Sequence, residues 1–187
     1  MGLGHAFEVN PELENALLVE IAHAQLTRQL FPQAPVKFMP PTKHKSTDIF
    51  YSHALDSLFN LVSVLTDQSI HLAGMPTEAI HTPLMQDRYI SLAAINYIFK
   101  TAKGLKDEIT FSPNGFIEKR AKAVMAQAET FLKEIRKKGL IAMIGAGRFA
   151  DIARKEDGGK GLSGVFEKGP DYSNPIMDRL ESDLKRE

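Results

Sequence analysis

The sequence predicts an α/β fold: an incomplete (β/α)8 barrel, represented by its last βα units, followed by a helical C-terminal appendage. Three observations carry this. Short apolar runs alternate with amphipathic helical patterns through the first two thirds of the chain, the βα rhythm of a parallel sheet. Met39 and Ala73, which end two of those runs, are 34 residues apart, about one βα unit of a barrel whose eight units take roughly 250 residues. Beyond about Ser112 the strand signals stop, and a long helical pattern leads into a Gly-rich tail. The expected division is therefore 1–110 for the βα units and 111–187 for the appendage.

Each element has a local cause. A strand edge near Leu3 is followed by Asn10, a good N-cap, and by Pro11 at the first helical position, with Glu12 and Glu14 near the positive end of the dipole. Leu17, Ile21, Ala24 and Leu30 carry helical spacing to about Phe31. Residues 35–39 read as a strand stopped by Pro40-Pro41, because proline supplies no ladder N–H. Ser46 or Thr47 then caps a second helix whose expected apolar face is Ile49, Phe50, Ala54, Leu58, Leu61, Val62 and Leu65. A strand at 69–73 ends at Gly74-Met75-Pro76, and a third helix runs from near Leu84 to about Lys103 with Tyr89, Leu92, Ile95 and Phe99 on one stripe. Phe116 to Ile135 marks the long helix, with Arg136, Lys137 and Lys138 before Gly139 as a left-handed stop. A short helix near 140–144 precedes the tail.

Composition narrows the function classes. The chain has 187 residues with 23 Lys and Arg against 23 Asp and Glu, so it lacks the broad basic field that non-specific nucleic-acid or anionic-membrane binding needs. It contains no cysteine, which excludes disulfides, thiolate metal sites, a cysteine nucleophile and an iron–sulfur cluster ligated by these residues. No apolar stretch approaches about 18 residues and no signal-peptide pattern follows Met1, so the expected location is the cytoplasm. All six histidines (5, 23, 44, 53, 71 and 81) fall in the first 81 residues.

That clustering coincides with the most informative pattern. Segments 4–10, 42–45 and 75–81 each follow the C-terminal end of an expected strand, the edge that carries the active site in parallel α/β architectures. They present His5, Glu8, Lys43, His44, Lys45, Glu78 and His81, a density suited to an anionic, ionisable ligand. Spacings of 39 and 37 residues between His5, His44 and His81 carry no local metal-ligand signature, so no metal site is expected. His23 and His53 lie on helices as packing or surface residues. His71 lies inside a strand, facing opposite to Ile70 and Leu72, either into a barrel interior or as a satisfied structural histidine. His71-Leu72-Ala73-Gly74 half-matches the Asp-x-His-x-x-Gly cobalamin motif, but Ser69 stands where the orienting acid is needed, which rules that motif out. Gly145-Ala146-Gly147-Arg148-Phe149-Ala150 spells a dinucleotide fingerprint that requires a strand before it and a helix after it, and Asp157-Gly158-Gly159 leaves no room for that helix.

Taken together, segments 2–11, 38–43 (Phe-Met-Pro-Pro-Thr-Lys), 74–83 (Gly-Met-Pro-Thr-Glu-Ala-Ile-His-Thr-Pro), 157–162 (Asp-Gly-Gly-Lys-Gly-Leu) and Asn174-Pro175 resemble, in the same order, the α subunits of lysine 5,6-aminomutases, from residue 2 to about 180. Those subunits are much longer, so the match is to their C-terminal third. The resemblance implies a TIM-type barrel that holds pyridoxal 5′-phosphate, and adenosylcobalamin as a second cofactor. It implies radical 1,2-migration of the terminal amino group of D-lysine or L-β-lysine. A smaller β subunit carries the cobalamin motif and the lysine that binds pyridoxal phosphate covalently, which explains why this chain lacks that motif.

Lys43 matches the family's active-site lysine in the Pro-Pro-Thr-Lys loop and is the expected catalytic residue. His5, Glu8, Glu78 and His81 match loop positions and are the expected cofactor-binding residues, placed by their strand-end location. The family's phosphate-binding serines and ring-stacking tyrosine precede these segments, so the chain is expected to be inactive without the N-terminal part of the barrel and the β subunit. The competing readings are a component of a related D-ornithine 4,5-aminomutase and a non-catalytic assembly or binding module. A lysine 2,3-aminomutase is disfavoured because its radical source needs cysteine-bound iron and sulfur.

Overall fold

The computed structural model describes residues 9–45, 48–149, 151–154, 166–168, 170–171 and 175–185. The expected strand near Leu3, the site residues His5 and Glu8, the cap candidates Ser46 and Thr47, and the motif at 157–162 lie outside the described residues.

The first helix, α1 (Ala16–Leu30), starts later than the Asn10 signal predicts. Asn10 Oδ1 accepts from the Glu12 N–H at 3.0 Å, closing a local turn. Asn15 then takes a left-handed backbone (φ 62°), which no helix can run through, so the first turn begins only after it. Strand β1 (Lys37–Phe38) leads through a loop to α2 (Ile49–Leu65), then to β2 (Ile70–His71) and α3 (Met85–Thr101). The strands pair in parallel, Lys37 opposite Ile70 and Phe38 opposite His71. Hydrogen bonds from Ile70 N–H to the Val36 carbonyl (3.1 Å) and from Leu72 N–H to the Phe38 carbonyl (2.9 Å) extend the ladder at both ends. This is the β–α–β unit that the 34-residue spacing predicts, with paired strands shorter than the apolar runs.

Period two is visible in β1: Val36, Phe38 and Pro40 are buried while Lys37 and Met39 are not. Phe38 stacks on Phe59 of α2 with ring centroids 5.4 Å apart, inside a core completed by Ile21, Ala24, Leu55 and Val62. Leu17, Leu18, Tyr51, Phe111 and Ile117 pack around it.

The helical faces differ from expectation. In α2 the buried positions are Ser52, Leu55, Asp56, Phe59, Asn60, Val62 and Ser63, whereas Ile49 and Leu58 are exposed and Phe50 is 81% exposed. In α3 the buried positions are Asp87 and Ser91, while Tyr89 (75% exposed) and Leu92 stand in the open. Of the expected faces, Val62 is buried in the core and Ile95 and Phe99 are half-buried, but small and polar side chains take most of the other buried positions of these two helices, so hydrophobic periodicity finds only part of each buried face. Asp48 rather than an earlier hydroxyl caps α2, its Oδ1 accepting from the Phe50 and Tyr51 N–H groups at 2.9 and 3.1 Å.

After a single turn, α4 (Leu105–Glu108), comes the predicted long helix, α5 (Phe116–Lys138). The chain divides into two compact units, 1–124 and 125–187, inside that helix. The second unit continues with α6 (Leu140–Gly145), an antiparallel pair β3 (Ile152–Arg154) and β4 (Phe166–Lys168), and α7 (Pro175–Leu184). The strand pair adds β structure to a segment read from sequence as a Gly-rich tail. Gly139 has positive φ (89°) as predicted, but its ψ of 144° is the extended conformation open essentially to glycine alone. Within this unit Phe131 meets Phe149 edge to face at 5.1 Å. The order around Gly145–Ala146–Gly147 is α6 before and β3 after, the reverse of a dinucleotide fold, so the fingerprint has no structural counterpart.

Candidate functional site

The loops that leave the C-terminal ends of β1 and β2 are tied together by one buried lysine. Lys45 closes a turn through its N–H to the Thr42 carbonyl (3.1 Å), and its side chain has 0% exposure. The ammonium reaches Asp56 Oδ1 at 2.7 Å, Glu78 Oε1 at 2.7 Å and the Met75 carbonyl at 3.0 Å. The ammonium thus meets oxygens drawn from α2, from the second loop's side chains and from its backbone. Thr42 Oγ1 also donates to Glu78 Oε1, at 3.0 Å. Among the described residues Glu78 Oε2 has no hydrogen-bond partner, and Glu78 is half-buried.

The second loop has its own fastening. Thr77 Oγ1 donates to Asp87 Oδ2 at 2.9 Å, and the Leu84 N–H donates to the same oxygen at 2.8 Å, so Asp87 both caps α3 and holds the loop. Gly74 fits because it lacks a side chain: a Cβ there would lie 2.2 Å from Asp56 Oδ1 and 2.7 Å from Pro40 Cγ.

Two carboxylates and one ammonium leave this cluster with an excess negative charge. Burial pushes the Asp56 carboxyl up to about 6 from 3.8; the Lys45 charge and hydrogen bond oppose that rise and Glu78 adds to it.

Of the expected site residues, the structure brings Glu78 into the Thr42–Lys45 turn. Lys43 sits half-buried in that turn. His81 lies on the exposed rim, its Nδ1 2.8 Å from the Thr82 carbonyl oxygen. His71 faces the helices rather than a barrel interior. It shares the face of its partner Phe38, with Nδ1 2.7 Å from Ser63 Oγ and its ring 5.4 Å from that of Phe99. Burial lowers its pKa to about 4, so it is a neutral structural histidine.

Sequence reasoning placed Lys45 only among the polar strand-end loop residues, without a role of its own, and passed over Asp56. The available signal was Asp56 itself, the sole Asp, Glu, Lys or Arg in α2, set among residues that otherwise need no charge.

Comparison with known proteins gives one consistent answer. The family described as the D-lysine 5,6-aminomutase TIM-barrel domain of the alpha subunit matches residues 1–179. The lysine 5,6-aminomutase alpha subunit of Acetoanaerobium sticklandii is 48% identical over 180 residues, covering 96% of this chain and 35% of that protein. That of Fusobacterium nucleatum is 48% identical over 177 residues, covering 95% and 34%. The chain therefore spans about a third of the length of these relatives, and it belongs to the D-lysine 5,6-aminomutase α-subunit TIM-barrel family.

Proposed function

We propose that the chain supplies the last βα units of the α subunit of a cytoplasmic lysine 5,6-aminomutase, an isomerase that uses pyridoxal 5′-phosphate and adenosylcobalamin. The reaction is the radical 1,2-shift of the terminal amino group of D-lysine or L-β-lysine, carried out together with the upstream barrel segments and a cobalamin-binding β subunit. The observation that supports it most is the joining of Thr42, Lys45 and Glu78 across the two strand-end loops, beside Lys43, in a chain of this family.

The side chains fit one end of pyridoxal phosphate. Lys43 offers an ammonium to an anionic phenolic oxygen or a substrate carboxylate, an electrostatic role. Glu78, one oxygen already held, offers the other to a substrate ammonium or to ribose hydroxyls. His5, Glu8 and His81 are the further residues proposed to bind the cofactors. Among the described residues, the helix starts beside these loops are already capped: Asp48 occupies the Phe50 and Tyr51 amides at the N-terminus of α2, and Asp87 the Leu84 amide before α3. That supports phosphate contacts contributed by the preceding part of the barrel. When bound, pyridoxal phosphate supplies a conjugated carrier for the migrating nitrogen and adenosylcobalamin supplies the radical. This chain's residues hold, orient and shield.

Lys43→Ala in the complete complex tests the reading. We expect turnover to fall by about 10²–10³-fold with assembly intact, as when an electrostatic stabiliser is removed. Lost assembly with no separate catalytic defect would favour the module reading instead, which draws support from Met85, Tyr89 and Leu92, exposed at helical spacing on α3. Turnover by this chain with the β subunit and cofactors, but without upstream α segments, would refute its dependence on them.

A further inference from the structure

The proposed site leaves Lys45 unexplained. A buried ion pair contributes little net stability compared with apolar residues of the same volume, because desolvation offsets the attraction. Here the balance is worse, since one ammonium serves two carboxylates. What the arrangement provides is geometry. All three oxygens that the Lys45 ammonium meets come from outside its own loop, at 2.7, 2.7 and 3.0 Å, and Gly74 is cleared of a side chain where Asp56 approaches.

We propose that Lys45 is a positioning residue that latches the loop after β1 to the loop after β2 and fixes Oε1 of Glu78, so that Oε2 is presented to a hydroxyl or ammonium group of the bound ligand. This deepens the reading of Glu78 as a ligand-binding carboxylate and rests on it. Asp56 serves as the anchor in α2 that keeps the ammonium in place, and Thr42 steadies the same Glu78 oxygen. Lys45 itself touches neither ligand nor cofactor. It acts through Glu78, and the two residues therefore form one functional unit.

A double-mutant cycle in the complete α–β complex reads that coupling directly. Lys45→Met, Glu78→Gln and the double variant are compared for kcat and KM with D-lysine, alongside complex assembly and thermal unfolding. Each single change is expected to lower kcat/KM by about 10²-fold, the scale of a misplacement near the reacting centre. The double variant should be no worse than Glu78→Gln alone to within about twofold, because residues acting as one unit are not additive. Lys45→Arg keeps the charge and should recover at least about tenfold over Lys45→Met. It also carries the cycle if the methionine variant does not assemble. Losses that multiply in the double variant, or a Lys45→Met enzyme with wild-type kcat/KM, overturn the latch while leaving Glu78 in the site. A Glu78→Gln enzyme with unchanged kcat and KM removes Glu78 from the site, and the positioning role falls with it.

Discussion

The two faces of the β1–β2 pair are unlike. One carries Val36, Phe38 and His71 and is covered by helices, with Phe38 at 2% exposure and its ring stacked on Phe59. The other carries Lys37, Ile70 and Leu72, with Ile70 46% exposed and Leu72 also open. Parallel strands are normally buried on both sides, since their crossovers leave neither face to water. The difference separates a finished sheet-to-helix layer from an open face, the one that upstream strands would line under the proposed barrel reading.

The covered face should fail first. Phe38→Ala is expected to cost about 3–5 kcal/mol, because a buried aromatic leaves both lost transfer energy and a cavity against Phe59. Urea unfolding measures it, and a loss below about 1 kcal/mol would mean that this layer is not the core of the unit.

Next in size is a pair of opposed pH dependences at the two edges of the covered layer. Asp56 has its folded pKa raised to about 6, so its contribution is fully present below its ordinary value of 3.8 and is lost as pH rises through 6. The full loss is on the order of 3 kcal/mol. His71 is the converse: lowered to about 4 from 6.5, its contribution is present above 6.5 and lost as pH falls through 4. Across pH 4 to 6.5 the two oppose one another. Stability of Asp56→Asn is expected to rise with pH in that window and that of His71→Gln to fall. Parallel curves for both variants and the parent would show that neither group titrates differently on folding.

The same contrast explains what was legible in the sequence. The β–α–β unit was readable because Pro40-Pro41 and Gly74-Met75-Pro76 punctuate the apolar runs, and α5 because its pattern and basic C-terminus are long and consistent. The buried faces of α2 and α3 were not. Ser52, Asp56, Asn60 and Ser63 on one helix and Asp87 and Ser91 on the other look solvated by composition, whereas Phe50 and Tyr89 look buried. Strand-end loops placed Lys43, Glu78 and His81 in one region, yet Lys45 was indistinguishable from its neighbours, since nothing in a loop sequence reveals that a lysine turns inward. The β3–β4 pair was missed because three-residue strands carry no period.

Gly74→Ala sharpens the loop edge of the comparison. Gly74 is not at positive φ, so the penalty comes from crowding Asp56 and Pro40, about 1–3 kcal/mol as for other overpacked sites. Combining it with Asp56→Ala, which removes the carboxylate in the way, should restore part of the loss relative to Asp56→Ala alone. Full additivity would locate the cost elsewhere.

The smallest effect carries the most information about the open face. Ile70→Thr keeps β-branching, so strand preference changes little and the outcome depends on what covers position 70. In this chain the side chain is nearly half exposed, and the change should fall within about 0.5 kcal/mol. In a full-length α subunit, where upstream strands would close over it, the same change replaces buried apolar carbon by a hydroxyl in an apolar layer and should approach about 1.5–3 kcal/mol. A ratio near one between the two backgrounds would argue that the Ile70 face stays open in the assembled subunit, and with it that these strands lie at a sheet edge rather than in a closed barrel.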